Sequence, residues 1–124
     1  REAALRLTFL SLFAPATYDE RPEFVEMLLQ NGLANPYPQT LVGWNRQREA
    51  IEAHDTLDRL GKIAHPTLVT VGEEDTLVPP RFARELAARI PGAELITVPG
   101  VGHVHFWERP DLFNRLCLDF LTKH

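Results

Sequence analysis

The hydrophobic positions change period at Pro66. Before it, apolar residues recur at spacings of three and four; after it, short β-branched runs alternate with helical stretches. In "PEFVEMLLQNG", Pro22 marks a helix start, Phe24, Met27 and Leu28 fall on one face, and Gly32 is the expected stop. "PQTLVGWNRQREAIEAHD" sets Leu41, Trp44, Arg48 and Ile51 three and four apart, an amphipathic helix. The first segment fits two periods. Leu5, Leu7 and Phe9 alternate like a strand, whereas Leu5, Phe9 and Leu12 fit a helix, and a helix is expected.

Beyond Pro66, "TLVTV" (67–71) is an apolar, β-branched run ended by Gly72, the mark of a strand buried on both faces. "PRFARELAARIPG" follows as a helix, with Phe82, Leu86 and Ile90 expected inward. "ELITV" (94–98) is a second strand, and "PDLFNRLCLDFL" closes as a helix with Leu112, Leu116 and Phe120 inward. Strand, helix, strand, helix implies a parallel pair with a right-handed crossover, an α/β unit. Residues 1–63 then form a helical region and residues 64–124 a βαβα unit. Two parallel strands alone leave both edges unpaired, so this arrangement is incomplete as a stand-alone fold. The expectation is the last part of a larger α/β protein, whose natural start lies upstream of Arg1 and whose missing N-terminal part supplies the other strands.

Composition narrows the partners. With 13 Lys and Arg against 17 Asp and Glu, the net charge is −4, which argues against nucleic acid or an anionic membrane surface. The apolar-rich stretch at 3–16 is too short to span a bilayer and is broken by Arg6; its likeness to a signal peptide is faint, and no methionine precedes it. The single cysteine, Cys117, excludes an internal disulfide, so a cytoplasmic location is expected. Homo-oligomerisation stays open, since the unpaired strands would accept a second copy.

In parallel sheets, ligands bind beyond the carboxyl ends of the strands. Asp75 lies four residues past Val71, and His103 five past Val98. On neighbouring strands about 4.8 Å apart, the loops carrying them project side by side. A carboxylate so placed can orient and charge an imidazole acting as general base. Gly72, Gly100 and Gly102 suit the sharp exits and close backbone approach this needs.

"HPTLVTVGEEDTLVPP" and "GVGHVHFWERPDLFN" together resemble the C-terminal third of an α/β-hydrolase. That family carries its acid in strand-G-x-x-D-x-x-x-P, matched by Gly72, Asp75 and Pro79. It carries its base in G-x-G-H-x-x-x-x-E-x-P, matched by Gly100, Gly102, His103, Glu108 and Pro110. The 28-residue separation of Asp75 and His103 suits one intervening helix and strand. Residues 1–63 are similar in composition to the family's helical cap, which precedes the C-terminal portion of its sheet. The resemblance implies acyl transfer on an ester, lactone or similar substrate, with Asp75 and His103 catalytic and no metal or organic cofactor. The family's nucleophile sits in G-x-S-x-G. Here the one serine, Ser11 in "TFLSLF", has no flanking glycine, and Cys117 falls inside a helix. The nucleophile and its oxyanion hole are therefore expected outside this chain, and the chain alone is expected to be inactive.

The same residues admit other readings. Asp75 also suits a turn acid or a helix cap. "HVH" (103–105) with Glu108 has the beginnings of a zinc set, but lacks a convincing third ligand. His54 and Asp55 fit a helix end, and His65 a strand entry. Phe106 and Trp107 suit packing on the last helix or a substrate mouth; Phe9, Phe13, Met27 and Trp44 suit core packing or an apolar pocket for a small, mostly apolar substrate. A cofactor-free haloperoxidase, dehalogenase or C–C hydrolase of the same fold would share Asp75 and His103. A non-catalytic binding module is the alternative of a different kind.

Overall fold

The computed structural model describes residues 1–124 and contains seven α-helices, one 3₁₀ helix and two strands. The first is α1 (Glu2–Leu12), which settles the two-period segment as helix. It packs with α2 (Pro15–Glu20) and α3 (Pro22–Ala34) around Phe13, whose ring lies edge-on to Phe9, Tyr18 and Phe24. Helix α3 does not stop at Gly32 but runs two residues further. A Cβ at Gly32 would sit 3.4 Å from a Leu5 methyl, so this glycine marks where two helices meet. Its buried residue is Leu29, and Met27 faces solvent, which rotates the core face away from the one expected.

Helix α4 (Leu41–Glu52) starts where Thr40 Oγ1 accepts the Gly43 amide, 3.1 Å, a side-chain cap for an otherwise unpaired donor. It buries no residue, and Leu41, Trp44 and Ile51 on its apolar stripe are all exposed. Asp55 Oδ1 accepts the Leu57 amide (3.1 Å) at the start of the 3₁₀ helix (Leu57–Lys62), between the end of α4 and that helix.

Strands β1 (Leu68–Gly72) and β2 (Glu94–Val98) pair in parallel, Leu68 opposite Glu94 and Gly72 opposite Val98. Between them α5 (Pro80–Arg89) crosses over, burying Ala83 against the strands, with Ile90 buried just past its end. Phe82 and Leu86, expected inward, are 43% and 37% exposed because nothing covers the side of β1 they border. After β2 come a single turn, α6 (His105–Glu108), and α7 (Pro110–Lys123), which half-buries Leu112, Leu116 and Phe120. No helix is long and apolar enough to cross a membrane.

The sheet has two strands, so each keeps one unpaired edge. The chain exposes 8762 Å², against roughly 6700 Å² for a compact chain of its mass by the area–mass scaling of folded monomers. Exposed apolar residues lie on α1 (Leu7, Leu10), α4 (Leu41, Trp44, Ile51) and α7 (Leu118, Leu121) as well as beside β1 (Phe82, Leu86).

Candidate active site

The site is built where the two strands end. Past Gly72 the pairing continues into the loops: the Glu73 amide donates to the Val98 carbonyl (2.8 Å) and the Glu74 amide to the Val101 carbonyl (2.9 Å). These bonds hold the loop bearing Asp75 against the loop bearing His103. The loops approach so closely that a Cβ on Gly72 would lie 2.1 Å from the Gly102 carbonyl oxygen, which no side chain tolerates. Gly100 turns the chain with φ 67°, a conformation glycine adopts without steric cost.

Asp75 is buried, and its two oxygens do different jobs. Oδ1 accepts the amides of Leu77 (3.0 Å) and Val78 (2.8 Å), which fixes the turn into α5. Oδ2 accepts from His103 Nδ1 at 2.9 Å. The turn acid and the partner of the histidine are thus one residue, with one oxygen for each. Helix α5 takes no side-chain cap, so Asp75 is not its N-cap. A carboxylate offers only acceptors, so the neutral tautomer of His103 that fits carries its proton on Nδ1 and has its lone pair on Nε2. The His103 side chain is about one-third exposed (34%), and Nε2 has no partner within the chain. An imidazole oriented through one nitrogen and open at the other can take a proton from a hydroxyl or thiol brought to Nε2.

Around the pair lies an open groove of about 300 Å³, lined by Val78, Phe82, Leu86 and Phe106 as well as Asp75, His103 and His105. Phe106 therefore borders the site. Trp107 stacks edge-on to Phe106 (5.6 Å between ring centres) but is not part of the groove wall. Trp44 lies elsewhere, in a separate groove with Leu5, Thr8 and Gln39, and is not brought to Asp75 and His103.

His105 and Glu108 turn to other partners than a metal. His105 is buried between the rings of Phe106 and Phe113, and its Nε2 shares a 3.0 Å hydrogen bond with Thr70 Oγ1. Burial pushes its imidazole below the ordinary value of 6.5, against the opposing pull of the His103 backbone and the Asp75 and Glu108 carboxylates. Both oxygens of Glu108 are engaged by hydrogen-bond donors, described below. Nowhere do three His, Cys, Asp or Glu side chains converge as a metal-binding group. Ser11 Oγ donates to the Thr8 carbonyl inside α1, and Cys117 is half-buried on α7.

The fold around this site is a parallel strand pair with a carboxylate–imidazole couple at its carboxyl end. The α/β-hydrolase family model matches residues 1–116, and the chain belongs to that family. Over 76 residues it is 45% identical to the 2-hydroxy-6-oxo-6-phenylhexa-2,4-dienoate hydrolase of Burkholderia cepacia, covering 61% of this chain and 27% of that one. Among solved structures it superposes on the enol-lactonase of Burkholderia xenovorans with TM-score 0.83 and 28% identity, covering 97% of this chain and 44% of that one. A thermophilic esterase from Thermogutta terrifontis gives TM-score 0.80 and 26% identity, with 97% and 43% covered. The chain thus spans about a quarter of the length of these curated relatives and less than half of the solved ones.

Proposed function

We propose that Asp75 and His103 are the acid and base of a nucleophile–His–Asp triad that hydrolyses an ester, lactone or similar acyl bond. The observation that carries this is the 2.9 Å bond from His103 Nδ1 to a buried carboxylate oxygen, with Nε2 left open. In this reading the nucleophile and the oxyanion hole come from a segment carrying G-x-S-x-G outside these 124 residues, seated over the open side of β1. Nε2 takes the nucleophile's proton as it attacks the carbonyl carbon and returns it to the leaving oxygen. Water then repeats the cycle on the covalent acyl intermediate. The chemistry asks for no metal or organic cofactor. Residues 1–63 act as the cap over the 64–124 unit, and the apolar groove wall, with Phe106 on it, suits a small, mostly apolar substrate. The single cysteine suits a cytoplasmic compartment.

A second reading rests on the curated relatives, whose 2-hydroxy-6-oxo-dienoate substrates contain no ester or amide. Their hydrolysis must break a carbon–carbon bond beside the ketone, with the same base available to move the protons.

One experiment separates these readings. The chain is assayed alone, then co-expressed with a segment carrying G-x-S-x-G, on short-chain 4-nitrophenyl esters and on 2-hydroxy-6-oxo-6-phenylhexa-2,4-dienoate. Ester turnover that needs both parts and is lost in His103→Ala is the expected result. Turnover confined to the dienoate selects the second reading. Robust activity of the chain alone that survives His103→Ala contradicts both.

A further inference from the structure

The backbone on both sides of His103 is tied to one distant turn. On one side, the Gly102 amide donates to Glu108 Oε2 at 2.6 Å. The other Glu108 oxygen, Oε1, accepts the Ala14 amide at 2.8 Å and the Thr17 hydroxyl at 2.5 Å, both more than 90 residues earlier in the chain. On the other side, the Val104 amide donates to the Leu12 carbonyl at 3.2 Å. Arg21 closes the arrangement by donating from Nη1 to the Glu108 carbonyl at 2.9 Å, with its guanidinium over the Phe24 ring. The layers are in direct contact, since a Cβ on Gly102 would lie 2.7 Å from the Leu12 carbonyl oxygen and 2.8 Å from the Ala14 nitrogen. Glu108 is 4% exposed, and Ala14 and Thr17 are buried with it.

We propose that Glu108 is a positioning residue for His103: its carboxylate, with the Leu12 carbonyl, clamps the loop of the base to the turn at residues 12–17. The proposal rests on the reading of His103 as the base. The three donors determine which side chain can do this. Two are backbone N–H groups that cannot turn round to accept, so both carboxylate oxygens must be acceptors. A glutamine offers one oxygen and one NH₂, which would face an N–H donor with another donor on whichever side it lay. The clamp also has a consequence for the helical region. The α1–α2 junction belongs to the support of His103, so a shift of residues 12–17 moves the base relative to Asp75.

The test uses the assembled hydrolase, this chain together with the nucleophile-bearing segment, and a 4-nitrophenyl ester. It has two readouts: kcat against KM, and the downfield proton signal of His103 Nδ1–H on Asp75, assigned by its loss in His103→Ala. For Glu108→Gln, kcat should fall about 10- to 100-fold with KM within about twofold, the cost of a small misplacement of a catalytic group. The proton signal should broaden or vanish. Thr17→Val, which removes one donor and keeps the carboxylate, should lower kcat by about three- to tenfold by the same argument. It decides the matter if Glu108→Gln fails to fold. Glu108→Asp should restore part of both readouts. Leu60→Ala, a buried site on the 3₁₀ helix, which packs on α5, controls for lost stability and should leave kcat and the signal unchanged. Normal kcat and an intact signal in Glu108→Gln and Thr17→Val, with His103→Ala inactive, overturn the clamp and leave the base assignment standing. Activity surviving His103→Ala removes the base assignment itself, and the Nδ1–H signal in wild type then reports only a structural pair.

Discussion

Helix α4 and the segment from Val98 to Glu108 make an instructive pair. Helix α4 has what local rules ask of a helix: a Thr40 cap, an apolar stripe at spacings of three and four, and an Arg48–Glu52 ion pair one turn apart. It nonetheless buries no residue. The 98–108 segment has only the end of β2 and the single turn α6 as regular structure, yet Val98, Val101, Val104, His105 and Glu108 are all buried within it. Local rules suffice to form an element. What roots an element in the fold is the set of long-range bonds and contacts it makes, and here those belong to the irregular segment that carries the candidate base.

That contrast can be broken most severely at Gly102. Gly102→Ala places a Cβ into three backbone atoms of Leu12–Ala14, none of which can move without dismantling the α1–α2 junction. The expected loss exceeds about 4 kcal/mol, the range reserved for backbone collisions and comparable core damage, read as failure to fold or a collapsed melting transition. A pair of alanine substitutions sharpens the same comparison by about an order of magnitude in effect. Leu29→Ala, at a 1% exposed site in α3, should cost about 2–5 kcal/mol. Ile51→Ala, at a 66% exposed site on α4, should stay within about 0.5 kcal/mol in denaturant titrations. Equal losses at the two sites would mean that α4 is covered in solution.

The smallest effect concerns His105, buried between the rings of Phe106 and Phe113. Its folded-state pKa is lowered, so below about pH 6.5 the unfolded chain binds a proton that the folded chain refuses. Stability is therefore full above that value and declines as pH falls from 6.5 towards the lowered folded-state value. The slope should shrink in His105→Asn when melting temperatures are compared between pH 7.5 and 5.5. An unchanged slope would place the acid sensitivity on other groups.

Much of this was legible from the sequence because it follows local periodicity. The strands fall within one residue of the runs ended by Gly72 and Val98, and the loops beyond them bring Asp75 and His103 together. Periodicity misleads where burial depends on what lies opposite. Phe82 and Leu86 have the spacing of an inward face, but the layer that would cover them is not within these residues. Gly32 has the look of a helix stop, and only the approach of Leu5 from α1 explains it inside a helix. Trp44 is aromatic and near-periodic, which says nothing about its distance from His103. Glu108 was visible as a motif residue and as a possible metal ligand. Its three donors come from Ala14, Thr17 and Gly102, a combination no spacing along the chain discloses.

Asp75 offers the most direct test of the central claim, because its two oxygens separate fold from chemistry. Asp75→Asn can keep a carbonyl oxygen on the Leu77 and Val78 amides, which preserves the turn, while turning an NH₂ towards His103 Nδ1. The imidazole must then accept at Nδ1 and carry its proton on Nε2, the wrong tautomer for a base. In the assembled hydrolase, kcat on the preferred substrate should fall by about 10⁴-fold, as this substitution does in other triads, while the melting temperature changes little. A kcat within about threefold of wild type in a fully folded Asp75→Asn protein would contradict the assignment of Asp75 and His103 as an acid–base pair.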